Sequence, residues 1–433
     1  MGFWKKTVND IDIDNKRVLL RVDYNVPMDE SGDITDDYRL QKSLPTIEYL
    51  LEHGCSLVLA SHLGRPDGKV DLAFSLEPVA KRLSKLLGKE VIFLKSCVGE
   101  AVSKATADAK PGQIFMLENV RFYKEEEIND EEFGKRLAED SHAEVFVQDC
   151  FGVVHRAHAS IVAVTHYLPS VAGLLVENEV TTILGVMDNP QRPLMAIIGG
   201  AKISDKIDAL NRFIDIADFV AVGGAMANTF LLAQGFKIGK SVAEPKEIAT
   251  AKKILKRAEA KIKEQNFIFY LPQDGVVATS LDRTAQTRIV DWDAHVIAAI
   301  ENYPRQAPRR TEHVLADELI LDIGPFSGAF IAGGMQLAKT VIWNGAMGVT
   351  ETKALHGPVG PFAHGTELVV DAMLGEYGHK PFTVLGGGDT VSYIEDRKLT
   401  DCFDHVSTGG GASMELMSGK SLPGVDALMD KDG

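Results

Sequence analysis

Polar and positively charged side chains follow four successive apolar runs in the first half of the chain. The runs are RVLLRVDYN, CSLVLASHLGR, QIFMLENVRF and EVFVQDCFG. The polar residues that end or follow them are Asp23, Asn25, His62, Arg65, Arg121, His155, Arg156 and His158. Ligands of parallel sheets bind beyond the carboxyl ends of the strands, and arginine binds carboxylate or phosphate through two parallel hydrogen bonds. One such arginine alone could simply point into water, but four strand ends in a row predict a site for a small, multiply charged anion.

Glycines occupy the corresponding positions in the second half of the chain. They lie at residues 199–200, 223–224, 345, 386–388 and 409–411, each close behind an apolar run. Glycine lets backbone amides approach a ligand closely, and a helix start behind it offers unpaired N–H groups and a partial positive charge. Tight turns between strand and helix also favour glycine for geometry alone. Five such turns, together with Lys202, Lys206 and Asp389, indicate a nucleotide-phosphate site.

The chain lacks the motifs of several common nucleotide and metal sites. GFKIGKS at residues 235–241 has one residue too few between its glycines for a P-loop, and no G-x-G-x-x-G follows a strand. The H-R-D and D-F-G elements of protein kinases are absent, and no paired cysteines or histidines at ligand spacing indicate zinc. A basic edge in one half and a glycine-lined edge in the other therefore indicate phosphoryl transfer between two ligands.

Apolar, β-branched runs alternate with amphipathic helical segments along the whole chain. This pattern predicts an α/β fold of two doubly wound, Rossmann-like parallel-sheet domains joined by a hinge helix. We expect an N-terminal domain at residues 1–173, a connecting helix at 174–193 and a nucleotide-binding domain at 194–405. The last segment, 406–433, carries the phosphate-binding glycine loop and is expected to return toward the N-terminal domain.

Local patterns predict individual elements as well. Leucine and isoleucine at helical spacing predict a helix over residues 39–53, and a long charged helix is expected at 247–264. Ser204 is the expected N-cap of the helix that follows it. Residues 282–317 are polar and contain NYPRQAPRR, so we expect a connection there rather than a core element.

Composition narrows the class of protein. The 433 residues are 45% hydrophobic and 25% charged, which is typical of a globular chain long enough for two domains. The net charge of −15 disfavours broad binding to nucleic acid or to anionic membranes. Four cysteines without a C-x-x-C pair are expected to be free thiols. Without an apolar leader or an apolar run of about 18 residues, a cytoplasmic protein is expected.

Nine short motifs occur in the order typical of one enzyme family. They are RVDYNVP, SHLGRP, LENVRF, HRAHAS, GGAKISDKI, DIGP, WNGAMG, GGGDT and HVSTGGGAS, within residues 17–420. On these motifs the chain resembles phosphoglycerate kinase. The resemblance implies a hinged glycolytic enzyme that interconverts 1,3-bisphosphoglycerate plus MgADP with 3-phosphoglycerate plus MgATP, by in-line transfer after domain closure. It implies Mg²⁺, carried with the nucleotide, as the cofactor, small molecules as the only partners, and a monomer.

The resemblance also implies roles for individual residues. Those implied to bind the triose are Asp23, Asn25, Arg39, His62, Leu63, Gly64, Arg65, Arg121 and Arg156. Those implied to bind the nucleotide are Gly200, Lys206, Gly224, Asn344, Glu351, Gly387, Gly388, Asp389 and Thr390, with Asp389 also placing Mg²⁺. Those implied to act in catalysis are Arg39, Lys202, Gly410 and Gly411. No general base is needed, because the attacking atom is a phosphate oxygen of ADP in one direction and a carboxylate oxygen in the other.

Several residues depart from the motifs usual in this family. Ala346 stands where WNGPMG has proline, Thr350 replaces the usual phenylalanine before Glu351, and Gln273 alters a segment usually read LPVD. Cys150 in DCFG stands where alanine is usual. These changes leave the nucleotide preference open and keep a non-catalytic binding protein as an alternative. An NAD-dependent dehydrogenase is a third interpretation, disfavoured by the missing dinucleotide motif.

Overall fold

The chain forms two compact units, of which the computed structural model describes residues 2–292 and 313–431. The first unit comprises Met1–Leu184, Gly411–Leu416 and Lys420–Gly433, and the second comprises Gly185–Gly410 and Met417–Gly419. The chain leaves the first unit within the helix Leu174–Asp188. It returns between Gly410 and Gly411, so the glycine run near the C-terminus lies at the second crossing.

The first unit is built on a six-stranded parallel sheet. Its strands are β1 (Arg17–Arg21), β2 (Ser56–Ala60), β3 (Val91–Phe93), β4 (Ile114–Met116), β5 (Val145–Gln148) and β6 (Ser170–Ala172). They are ordered β3-β4-β2-β1-β5-β6. The chain therefore builds outward from β1 on one side and returns to its other side at β5. The point where the order reverses, between β1 and β5, is where ligands of open α/β sheets bind.

Alternate residues of these strands enter two separate hydrophobic cores. Val18 and Leu20 of β1 pack in one core, and Leu19 between them packs in the other with Phe146 of β5. Successive side chains of a strand point to opposite faces of the sheet, so both faces are covered. The unit is doubly wound, as the sequence predicts.

Five helices accompany this sheet before the chain crosses to the second unit. They are α1 (Tyr38–Glu52), α2 (Glu77–Leu87), α3 (Glu100–Thr106), α4 (Lys124–Glu127) and α5 (Glu131–Asp140), and α6 (Leu174–Asp188) makes the crossing. The predicted start of α1 is wrong by one residue. Gly54, just beyond its end, has a φ of +72°, a left-handed conformation that suits glycine and ends the helix. Because α1 begins at Tyr38, Arg39 lies in its first turn.

The second unit repeats the parallel architecture. Its strands are β7 (Leu194–Ile198), β8 (Phe219–Val222), β9 (Ile268–Tyr270), β10 (Asp274–Ala278), β11 (Arg288–Asp291), β12 (Leu319–Ile323), β13 (Thr340–Asn344), β14 (Phe382–Gly386) and β15 (His405–Val406). Six of them form a parallel sheet ordered β15-β14-β13-β7-β8-β9. Five of them, β7, β8, β13, β14 and β15, are the apolar runs that precede the glycines singled out from the sequence, and the order reverses between β7 and β13.

Six helices lie between these strands and two short ones follow. They are α7 (Ile207–Ile216), α8 (Met226–Ala233), α9 (Ile248–Glu264), α10 (Pro325–Met335), α11 (His364–Leu374), α12 (Gly388–Asp396), α13 (Gly411–Met417) and α14 (Pro423–Asp426). The predicted long charged helix is confirmed as α9, which begins one residue later than predicted. The Ser204 prediction is wrong: Lys206 occupies the N-cap position of α7, and the Ser204 hydroxyl instead donates to Glu244 at 2.7 Å.

A three-stranded antiparallel sheet, ordered β11-β10-β12, is the main element that the sequence did not predict. We expected residues 282–317 to be a connection without a core element, and this is wrong at β11. Val290 of β11 is buried and packs in one hydrophobic cluster with Trp292. Arg288 of β11 also forms an ion pair with Glu318 at 2.6 Å. A strand of four residues is too short to show a clear period. Residues 293–312, including NYPRQAPRR, lie outside the described part of the chain.

The four cysteines are free thiols, as predicted. Cys55, Cys97 and Cys150 are buried, and Cys402 is exposed. Within residues 2–292 and 313–431, no helix combines the length and apolar character needed to cross a membrane.

Candidate functional site

The first site lies where β1 and β2 end in the first unit. Arg21 of β1 pairs in register with Ala60 of β2, so Asp23 and His62, each two residues further on, reach the same edge. Arg39 donates from Nη1 to Asp23 Oδ2 at 2.8 Å, and His62 Nδ1 lies 3.9 Å from Asp23 Oδ1. Three residues that the sequence assigned to one ligand are thus brought together by strand pairing.

The adjoining loop is fixed by a second set of hydrogen bonds. The Gly64 amide donates to Asn25 Oδ1 at 2.8 Å, and Arg121 donates from Nη1 to the Gly64 carbonyl at 2.9 Å. The Asn119 side chain donates to the Leu63 carbonyl at 2.7 Å. Asn25, Leu63, Gly64 and Arg121 are therefore held in one rigid arrangement, which reduces the entropy lost when a ligand binds.

Burial and crowded positive charge set the protonation states at this edge. Burial opposes ionisation of Asp23, but the charge of Arg39 and the hydrogen bond from the Asn25 amide outweigh it and hold its pKa below the usual value. Burial also drives the pKa of His62 well below its usual value, and Arg121 lowers it further against the attraction of Asp23. His62 is therefore a neutral imidazole at working pH, able to donate one hydrogen bond and accept another.

Within the described part of the chain, two predicted triose ligands take no part in the hydrogen bonds around Asp23, Asn25 and Gly64. Arg65 and Arg156 have exposed side chains, and Arg156 Nε donates to His155 Nε2 at 3.2 Å. Burial lowers the pKa of Arg121, and the positive charge of Arg156 lowers it further. Arg156 therefore interacts electrostatically with Arg121. Both arginines are free to move onto an incoming anion.

The second site is an open cleft in the second unit, at the carboxyl ends of the central strands, with ≈ 690 Å³ of empty space that includes open solvent at its mouth. Five of the residues around it were predicted or singled out from the sequence: Gly200, Gly224, Ala346, Glu351 and Asp389. Gly200 follows β7, Gly224 follows β8, and Ala346 follows β13. The cleft therefore lies at the carboxyl ends of β7, β8 and β13, around the reversal point between β7 and β13.

The glycines of this cleft permit close packing between loops. Gly224 has a φ of +64°, and a Cβ added to it would lie 2.5 Å from the Gly200 nitrogen. The Gly200 and Gly224 amides donate to the carbonyls of Ala346 and Met347 at 3.0 Å and 2.9 Å. The expectation that these amides face a ligand is therefore wrong for these two positions. Their glycines keep side chains out of the cleft.

Lys206 links the loops after β7 and β13. Its Nζ donates to the Gly199 carbonyl at 2.7 Å and to Asn344 Oδ1 at 2.7 Å. Burial lowers the Lys206 pKa to about 8, and the charge of Asp389 opposes that shift. Thr390 Oγ1 accepts from the Gly345 amide at 2.7 Å. Lys206, Asn344 and Thr390, all predicted nucleotide ligands, thus share one buried network.

The start of α12 supplies amides of the kind that the sequence predicted. Gly387 precedes this nine-residue helix with a φ of +92°, and Gly388 and Asp389 occupy its first turn. First-turn amides have no acceptor within a helix and attract anions. Asp389, Lys202 and Glu351 have exposed side chains, and Asp389 and Glu351 line the cleft, where they can reach a ligand.

The two glycines predicted to act in catalysis lie where the chain crosses back to the first unit. Gly410 has a φ of +48°, and Gly411 begins α13. Within the first unit, a Cβ added to Gly411 would lie 3.3 Å from His155 Nε2. A larger residue at position 411 would therefore press against a histidine from the basic edge.

Three residues that line the cleft received no role from the sequence. Asp274 and Asp322 are buried acids in LPQD and LDIGP, and Trp292 is a buried aromatic. Asp322 accepts from the Ile323 and Gly365 amides, yet burial still raises its pKa to about 8. The acids could have been found from their position at strand ends. No sequence signal points to Trp292, because its place depends on the unpredicted antiparallel sheet.

The fold and the two sites define a class of protein. Two doubly wound units, one with a basic small-anion edge and the other with a glycine-lined cleft and a buried lysine, are the architecture of a two-domain α/β phosphotransferase.

Comparisons with known proteins give the family within that class. The family model for phosphoglycerate kinase matches residues 8–420. A phosphoglycerate kinase of Chloroflexus aurantiacus is 45% identical over 430 residues, covering 99% of this chain and 100% of that protein. One of Moorella thermoacetica is 44% identical over 427 residues, with coverage of 99% and 100%. The solved structure of phosphoglycerate kinase from Coxiella burnetii is similar with a TM-score of 0.78 and 36% identity, covering 98% of each chain.

The chain belongs to the phosphoglycerate kinase family. Enzymes of this family are glycolytic kinases with a carboxylate acceptor, and they use MgATP and MgADP. The resemblance drawn from the nine sequence motifs and the predicted fold class are both confirmed.

Proposed function

We propose that this protein interconverts 1,3-bisphosphoglycerate plus MgADP with 3-phosphoglycerate plus MgATP. The observation that carries the proposal is the family match over residues 8–420, because it includes both of the sites described above. On the same ground we propose a monomer that acts in the cytoplasm on small molecules alone. Light scattering of the purified protein tests the oligomeric state.

The basic edge of the first unit is the proposed triose site. Arg39, Arg65, Arg121 and Arg156 supply the charge for a carboxylate at one end and a phosphate at the other. Asp23 and Asn25 accept hydrogen bonds from the glycerate hydroxyl and thereby orient it. Leu63 and Gly64 form the wall beside it. His62, being neutral, contributes a hydrogen bond without adding to the repulsion among the arginines.

The cleft of the second unit is the proposed nucleotide site. The base lies against Gly200 and Gly224, where no side chain intrudes, and Glu351 accepts from the ribose hydroxyls. Lys206, Asn344 and residues 387–390 hold the phosphates.

Asp389 fits the requirements of a magnesium ligand. Mg²⁺ binds hard oxygen donors, keeps several waters and takes one or two carboxylates together with substrate phosphates. The exposed carboxylate of Asp389, at the start of α12, offers one such donor beside the proposed phosphate site. Magnesium bound there would neutralise part of the charge that builds up on the transferring group.

Phosphoryl transfer requires the protein to position both substrates and to provide fixed positive charge. The group in transfer spreads negative charge over its oxygens, and we assign Arg39, Lys202 and the amides of Gly410 and Gly411 to stabilise it. The attacking oxygen is already ionised in both directions, so no residue has to remove a proton. Water must be excluded from the ligands, and we propose closure about α6 during turnover as the means.

An assay coupled to ADP formation, with ATP and 3-phosphoglycerate as substrates, tests the proposal. Turnover that depends on both substrates and on Mg²⁺ supports it. Binding of both ligands without turnover would instead favour a non-catalytic binding protein. Repeating the assay with GTP in place of ATP measures the nucleotide preference that Ala346, Thr350 and Gln273 leave open.

A further inference from the structure

Three donor atoms of different chemistry meet at the edge of the first sheet. Arg21 of β1 pairs in register with Ala60 of β2 and with Gln148 of β5. Asp23, His62 and Cys150 each lie two residues beyond one of these three aligned positions. Their carboxylate oxygen, ring nitrogen and sulfur lie within 4.8 Å of one another, and all three residues are buried.

The ring nitrogen that faces this cluster has no hydrogen-bond partner. His62 is 3% exposed, and its Nδ1 is buried without a partner, 3.9 Å from Asp23 Oδ1. A buried polar atom left unpaired costs about 1–3 kcal/mol. The neutral state of His62 is also the form that binds metals. The cluster therefore contains an unused ligand atom in addition to a cysteine.

We propose that Asp23, His62 and Cys150 bind a thiophilic divalent cation of the Zn²⁺ or Cd²⁺ class, and that an ion held there excludes the triose. Sulfur and imidazole nitrogen favour such ions over Mg²⁺. In a tetrahedral zinc site, neighbouring ligand atoms are roughly 3.3–3.8 Å apart, so the widest pair here must approach by about one ångström. The exclusion of the triose rests on the proposed function, whereas the metal site does not.

Charge at the site permits this binding but limits its strength. Cys150 coordinates as a thiolate, and its proton passes to the solvent. Together with the Asp23 carboxylate, it offsets the two charges of the ion. Arg21 Nη1 lies 3.4 Å from Cys150 Sγ, and Arg39 already holds Asp23, so both guanidinium groups oppose the cation. We expect weaker binding than in a structural site with four ligands.

Calorimetric titration of the full-length protein with ZnCl₂, without nucleotide or Mg²⁺, tests the site. One zinc ion should bind, and Cys150→Ala should weaken that binding at least tenfold. Cys402→Ala, which removes the exposed thiol of the second unit, should bind zinc as the wild type does. All three proteins should turn over equally without zinc. Equal zinc affinity in Cys150→Ala and the wild type would overturn the site.

A cadmium titration reports sulfur ligation directly, and comparison with Cys150→Ala assigns the band to Cys150. The wild type should develop a sulfur-to-cadmium charge-transfer absorbance that saturates at one equivalent, and no such band would again overturn the site. Added 3-phosphoglycerate should suppress the band. A Cys150-dependent band that 3-phosphoglycerate leaves unchanged would overturn the exclusion of the triose and the proposed triose position, while the metal site would stand.

Discussion

Both parallel sheets carry their candidate sites at the carboxyl ends of their central strands, but one site is made by side chains and the other by backbone loops that keep side chains out. Around the ends of β1, β2 and β4, side chains make the site: Arg39 donates to Asp23, and Arg121 donates to the Gly64 carbonyl of the adjoining loop. Beside β7 and β13, glycines make room, and one buried lysine, Lys206, ties the loops together. A small anion is bound by side chains that extend to it, whereas a nucleotide needs a cleft from which side chains are absent.

The comparison also separates two uses of glycine. At Gly200 and Gly224 the amides bond to neighbouring loops, so the absence of a side chain matters more than the amide. At Gly388, in the first turn of α12, the amide itself lacks a helical acceptor and is available to an anion. The basic edge and the cleft should therefore respond to different substitutions, and four experiments test that difference.

Arg39→Ala should give the largest effect. Losing one preorganised donor to a transferring group costs roughly 10²–10³-fold in turnover, while binding of each ligand alone should change modestly. Steady-state kinetics and calorimetry measure the two quantities. Arg82→Ala, which removes an exposed arginine paired with Asp37 in the same unit, is the matched control. Turnover within about tenfold of the wild type, or roughly 1.4 kcal/mol, would contradict the role of Arg39.

Gly224→Ala should damage the cleft through sterics. The positive φ costs about 1–2 kcal/mol, and the contact with Gly200 adds about 1–3 kcal/mol. Gly378→Ala provides the control, because Gly378 also has a positive φ but no atom lies near its added Cβ. Urea unfolding and ADP titration of both variants measure the effect. If both lost the same stability and kept ADP affinity, close packing at Gly224 would not matter for the site.

Asp389→Asn should weaken binding of the Mg-nucleotide about tenfold or more, because it removes the charged oxygen donor proposed for magnesium. Affinity for 3-phosphoglycerate, measured on the same protein by calorimetry, should stay nearly unchanged. Asp396→Asn, at the other end of α12, controls for lost charge on the helix. The reverse pattern, with triose binding lost and nucleotide binding kept, would show that the two sites are exchanged.

Lys206 should make nucleotide affinity depend on pH. Burial lowers its pKa to about 8, so it is charged below that pH and neutral above it in the free protein. Anionic phosphates favour the charged form, and ADP affinity should therefore hold steady below pH 8 and fall by up to tenfold per pH unit above it. Lys206→Met should bind ADP weakly and with a flat profile over the same range. A wild-type profile that is also flat would argue against contact between Lys206 and the phosphates.

The sequence predicted most strands of the two parallel sheets, because they are continuous apolar runs with a clear turn signal after each, but it missed the three-residue strands β3 and β6. It also placed polar residues correctly at strand ends. It could not show that Asp23, His62 and Cys150 share one register, since that depends on which strands pair. It missed the packing of Trp292 for a related reason: β11 is short, half-polar and stabilised by partners distant in the chain.

A crystal structure of the protein with 3-phosphoglycerate and MgADP bound tests the central comparison most directly. The account predicts the triose on Arg39 and Arg121 of the first unit and the nucleotide in the cleft lined by Gly200 and Gly224 of the second. Density for both ligands on the same unit would contradict it.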